Sequence, residues 1–69
     1  MYVQIGASQL IAVTEILAVV HHEQYVHSAF TRLLVPPEAV KSYVVTDDFV
    51  YGSPYRPQAL LNKIQQNRL

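Results

Sequence analysis

The sequence predicts an α+β domain, a small antiparallel sheet with helices in the order β-β-β-α-β-β-α, assembled as an oligomer. Three observations carry that prediction. Short β-branched runs are separated by turn residues, a proline stands at the first turn of a C-terminal amphipathic stretch, and the apolar content is high for so short a chain. The chain has 69 residues, 51% of them hydrophobic and only 14% charged, with no cysteine. A domain of this size has little interior of its own, so part of that apolar surface is expected between copies of the chain.

Tyr2-Val3-Gln4-Ile5 reads as an opening strand, with Gly6-Ala7-Ser8 as its turn. Leu10 to Val20 admits two readings. Leu10, Val13, Ile16/Leu17 and Val20 fit one face of a helix that Ser8 would cap. The abundance of Ile and Val, with Thr14-Glu15 as a corner, instead favours two buried strands, Gln9–Val13 and Ile16–Val20, and this reading is preferred. From Glu23 to Leu34 the pattern turns helical, with Val26, Ala29/Phe30 and Leu33 on one side, and Pro36-Pro37 ends it. Lys41–Thr46 and Phe49–Ser53 read as strands joined through Asp47-Asp48. Pro57 opens the last helix, with Leu60, Leu61 and Ile64 as its apolar stripe. One domain spanning residues 1–69 accounts for the whole pattern.

The apolar run Leu10–Val20 is too short to span a bilayer, and no basic region precedes it as in a signal peptide. The cytoplasm is the expected location, without a membrane partner. A Gly-rich phosphate loop, a nucleophile elbow and HExxH are all missing from the sequence, so an enzyme is not expected. Nor is a cofactor.

Several of these segments resemble one family. Tyr2-Val3-Gln4-Ile5-Gly6 is similar to the opening of RemB-type proteins, a strand ending in Gly. Leu10-Ile11-Ala12-Val13-Thr14-Glu15-Ile16-Leu17-Ala18-Val19 resembles that family's second and third strands, with Ser/Thr at their corner. Lys41-Ser42-Tyr43-Val44-Val45-Thr46-Asp47-Asp48-Phe49-Val50-Tyr51-Gly52-Ser53-Pro54 is similar to a family hairpin that starts with a basic residue and ends in Ser. Pro57 and Leu60 sit where related sequences place a Pro and an apolar helix residue. The resemblance is to the RemA/RemB-type extracellular matrix regulatory proteins, closer to the RemB branch, and covers nearly the whole chain apart from about residues 20–39. It implies a homo-oligomer, ring-shaped in the RemA branch, that binds promoter DNA and regulates transcription of biofilm-matrix genes. In that branch paired arginines precede the second hairpin. Here Glu38 and Ala39 occupy those positions, and only Lys41 matches a basic one.

Formal net charge is zero, so the chain as a whole lacks the basic footprint of a nucleic-acid binder. Phosphate contacts need cations, and the candidates are Arg32, Lys41 and Arg56, with Lys63 and Arg68 completing the basic set. Arg32 on the expected helix and Lys41 at the hairpin entrance are close in sequence and are expected to meet; Arg56 is a third contact. Ordinary solvated charge is the competing account of all three.

His21, His22 and His27 invite a metal reading, but adjacent histidines on a strand point to opposite faces. Glu23 is the only acid nearby, so no metal site is expected. Asp47 and Asp48 fit a turn better than acid/base chemistry. Tyr2, Tyr25, Tyr43, Tyr51 and Tyr55 suit protein interfaces and half-buried strand positions. Two functions follow as expectations: an oligomeric, DNA-associated transcription regulator binding double-stranded DNA, or a self-assembling interaction module with a protein partner and no DNA contact.

Overall fold

A computed structural model describes residues 1–24 and 29–66. It is α+β, as the sequence predicts. Strands β1 (Tyr2–Gly6) and β2 (Gln9–Ala12) form an antiparallel hairpin. A one-turn 3-10 helix, Val13–Glu15, turns the chain into β3 (Ala18–His21). The expected pair of strands across Leu10–Val20 is therefore present, with the corner at Thr14-Glu15. A second sheet has the order β3-β5-β6-β4, where β4 is Thr31–Leu33, β5 is Ser42–Val45 and β6 is Val50–Ser53. Helix α1 (Pro57–Gln66) follows, opening on Pro57 as expected.

The helix expected over Glu23–Leu34 is not what the described residues form. His22–Gln24 makes a single 3-10 turn, and Thr31–Leu33 is a strand lying parallel to β6. Val26 and His27 lie outside the described residues. The physical reason is an edge left open by β6. The Val50 amide donates to the Phe30 carbonyl, and the Leu34 amide donates to that of Gly52, each at 3.0 Å. Those ladder bonds outweigh the helical spacing of a segment that Pro36-Pro37 already prevents from extending. The larger sheet is consequently mixed, antiparallel at β3–β5–β6 and parallel at β6–β4.

The core sits where the β1–β2 hairpin and α1 cover one face of the larger sheet. Val3, Ile5, Ile11, Val13, Val44, Leu60 and Ile64 form it, with Ile16, Val19, Tyr51 and Tyr55 packed against it. On α1 the buried stripe is Leu60 and Ile64, one turn apart, while Leu61 remains exposed. Residues of β5 are buried on both faces. Tyr43, only 4% exposed, lies near Gly52 together with Val40 and Leu33. A Cβ on Gly52 would stand 2.7 Å from a Leu33 methyl and 3.2 Å from one of Val40, so glycine is what lets β4 close on β6 here.

Two buried hydroxyls join the layers. In the β1–β2 register Gln4 faces Leu10 and Gly6 faces Gln9, which leaves Ile5 in an irregularity between them. The Ser53 hydroxyl donates to the Ile5 carbonyl at 2.6 Å and accepts the Tyr55 amide at 3.1 Å. Opposite it, Ser42 donates to the Tyr55 carbonyl at 2.6 Å. Both serines are fully buried, and their short bonds tie strand β6 to the small sheet and to the entrance of α1.

Candidate nucleic-acid interface

The three candidate cations are all exposed, but they divide between two ends of the β5–β6 hairpin. Lys41 stands just before β5. Its amide donates to the Ser53 carbonyl at 2.9 Å, and its own carbonyl accepts the His22 amide at 3.2 Å. Arg56 follows Tyr55, whose carbonyl is held by Ser42, the residue after Lys41. Lys41 and Arg56 thus leave the sheet at the same end. Arg56 immediately precedes α1, its carbonyl taking the Leu60 amide at 3.1 Å.

Arg32 does not join them. It is the middle residue of β4, paired with Tyr51, and its guanidinium lies over the Phe49 ring at 4.7 Å from the centroid. That geometry draws it toward the Asp47-Asp48 turn, away from Lys41. The short separation in sequence suggests that the loop brings Arg32 and Lys41 close; instead Arg32 lies on a strand with its guanidinium on Phe49. Lys63 is engaged elsewhere: its ammonium sits 3.9 Å from the Tyr55 ring centroid and donates to the Gln4 carbonyl at 3.3 Å. Arg68 lies outside the described residues.

Acidic side chains concentrate at the opposite end. Glu15, Asp47 and Asp48 line one shallow depression with Thr46 and Tyr51. The turn itself is closed by the Thr46 amide donating to the Phe49 carbonyl at 3.0 Å and by the Phe49 amide donating to the Thr46 hydroxyl at 3.1 Å. No described residue has a positive φ, so Asp47-Asp48 forms neither of the primed turns usual in tight hairpins. The hydroxyl supplies what the backbone ladder lacks. Asp47 and Asp48 occupy the connection between β5 and β6, where the sequence places them. The Lys41 end is not purely basic, since Glu38 lies in the 3-10 turn Pro37–Ala39 and Glu23 in the turn after β3.

One grouping near Lys41 is invisible to strand alternation. β3 ends at His21, paired with Ser42, and the next residue starts a 3-10 turn. The two imidazoles therefore come together, centroids 4.5 Å apart, where an unbroken strand would part them. Glu23 lies beside them, one carboxylate oxygen 3.9 Å from His22 Nε2. The tyrosines also divide: Tyr43 is buried, Tyr51 and Tyr55 are half-buried on the core, Tyr2 is exposed, and Tyr25 lies outside the described residues.

Among the described residues no helix is long and apolar enough to cross a membrane. The chain matches no protein-family model, no curated protein and no solved structure.

Proposed function

We propose that this chain is a non-enzymatic protein that assembles with copies of itself, and that the assembly associates with double-stranded DNA as a transcription regulator of the RemA/RemB type. The observation that carries self-assembly is the exposure of large apolar side chains. Met1, Tyr2, Leu10, Leu17 and Phe30 are each more than 60% exposed. They fall in separate patches. Tyr2 and Leu10 stand on the outer face of the β1–β2 hairpin, alternating with buried Val3, Ile5 and Ile11. Leu17 borders a groove with Leu61 beside β3, an edge strand of the larger sheet. Two distinct patches on one subunit suit a head-to-tail contact, which closes into a ring when the rotation permits.

DNA association rests on Lys41 and Arg56 leaving the same end of the sheet, with Asp47 and Asp48 at the other. A pair of cations per subunit binds phosphate weakly, and repetition around an assembly multiplies it. Arg32, held over Phe49, contributes less to this face. A protein-binding module without DNA contact is favoured by a specific observation as well: Glu23 and Glu38 share the Lys41 end and oppose phosphate there.

The two readings separate on titration of fluorescent duplex DNA at two salt concentrations, with oligomer size followed by light scattering. The DNA reading expects binding that weakens steeply with salt and is lost in Lys41→Glu while the oligomer persists. An intact oligomer with no salt-sensitive binding makes the chain an interaction module.

A further inference from the structure

We infer that His21, His22 and Glu23 form a surface site for one borderline divalent transition-metal ion of the Zn²⁺ class. One ligand atom from each residue lies within 4.8 Å of the other two. An ion with bonds of about 2.0–2.1 Å holds tetrahedral ligands about 3.4 Å apart, so the cluster must close slightly. It is free to do so, because the Glu23 side chain is 75% exposed and that of His22 38%.

What distinguishes this cluster from a chance surface grouping is the state of His22. Its Nδ1 lies 3.1 Å from the Lys41 carbonyl. A carbonyl only accepts, so that nitrogen carries the proton, and Nε2, on the side of the Glu23 carboxylate, is the ring atom left to ligate. A ligating histidine typically has this outer-shell arrangement, with the other ring nitrogen donating to a backbone carbonyl. The backbone amide of His22 bonds the same carbonyl at 3.2 Å, which fixes the base of the side chain. At His21 the Nδ1 lone pair accepts the Glu23 amide at 3.2 Å, a long contact that an ion at that atom displaces.

Two imidazoles and a carboxylate are a donor set suited to Zn²⁺ and its neighbours, and poorly suited to Mg²⁺ or Ca²⁺. Three protein ligands leave one tetrahedral position open to water, an anion or a donor from another molecule. An ion there also turns Glu23 from a free negative charge into a ligand, beside the Lys41 backbone. The site does not depend on DNA association, and its test involves no DNA.

Equilibrium dialysis of the full chain against Zn²⁺, with a chromophoric chelator as competitor, measures stoichiometry and affinity. The expected result is one ion per chain, with Mg²⁺ failing to compete. His22→Ala should weaken binding at least about tenfold, since a ligand counts for no less than the outer-shell partners whose loss has that effect. Glu23→Gln changes an exposed side chain and should weaken it in the same direction. Long-range ¹H–¹⁵N NMR of the imidazoles should show the His22 Nε2 resonance moving on Zn²⁺ addition while its Nδ1 keeps the proton. No saturable uptake, or uptake unchanged in both variants when circular dichroism reports a native fold, overturns the site.

Discussion

The two ends of the β5–β6 hairpin are built on different principles. At the Ser42/Ser53 end, hydroxyls with no solvent exposure bond carbonyls of Tyr55 and Ile5 that are remote in sequence, so the end is fixed by tertiary structure. At the Thr46/Phe49 end, the hydroxyl and the backbone groups it serves lie three residues apart, and the two aspartates between them are exposed. One end is a joint between sheets and the other a self-contained turn. Lys41 and Arg56 belong to the joint, and Asp47 and Asp48 to the turn. The Lys41 backbone is tied to that joint by its bonds with Ser53 and His22.

The largest effect expected from breaking this contrast is at Ser53. Ser53→Ala removes the donor to the Ile5 carbonyl and the acceptor for the Tyr55 amide, one fully buried and one half-buried. Leaving buried polar groups unpaired costs about 1–3 kcal/mol each, so a loss of about 2–4 kcal/mol is expected in urea unfolding. The β1–β2 hairpin should loosen most, seen as faster amide exchange there than in β5 and β6. A loss no greater than that of an exposed serine would mean that the two sheets are held by apolar packing alone.

How much of this was legible follows the same division. The hairpin Lys41–Ser53 could be read directly, because a β-branched run, two turn residues and a second apolar run are local signals. The first turn of α1 was equally plain from Pro57. β4 was not. Its three residues are too few to show alternation, and Ala29/Phe30 and Leu33 have helical spacing; what decides their conformation is the open edge of β6, nearly 20 residues further on. The same edge pairing sets Arg32 beside Phe49. The buried serines were equally opaque, since nothing local marks a strand-end Ser as the partner of a carbonyl 48 positions away. Strand alternation does not reach the His21–His22 pairing, because β3 ends at His21.

At the turn end the expected penalty is smaller. Thr46→Ala leaves the Thr46 amide bonded to the Phe49 carbonyl but removes the hydroxyl that serves Phe49. The site is only half-buried, and water can take up part of the loss, so a decrease of about 0.5–1.5 kcal/mol is expected. Thr46→Ser should restore most of it. A penalty as large as that of Ser53→Ala would make the turn a second joint and erase the contrast.

The smallest effect is expected at Arg32, and it sharpens the functional side of the comparison. Its guanidinium over Phe49 is exposed, where such a contact contributes about 0.5–1 kcal/mol. Arg32→Gln should therefore lower the unfolding midpoint slightly. Because Arg32 is drawn toward the acidic turn, the same substitution should leave any salt-sensitive DNA association nearly as it was, in contrast to Lys41→Glu. The stacking and phosphate-binding roles compete for one side chain. If Arg32→Gln instead weakens DNA binding as strongly as Lys41→Glu, then Arg32 leaves Phe49 in the complex, and the basic surface extends across β4 rather than ending at the serine joint.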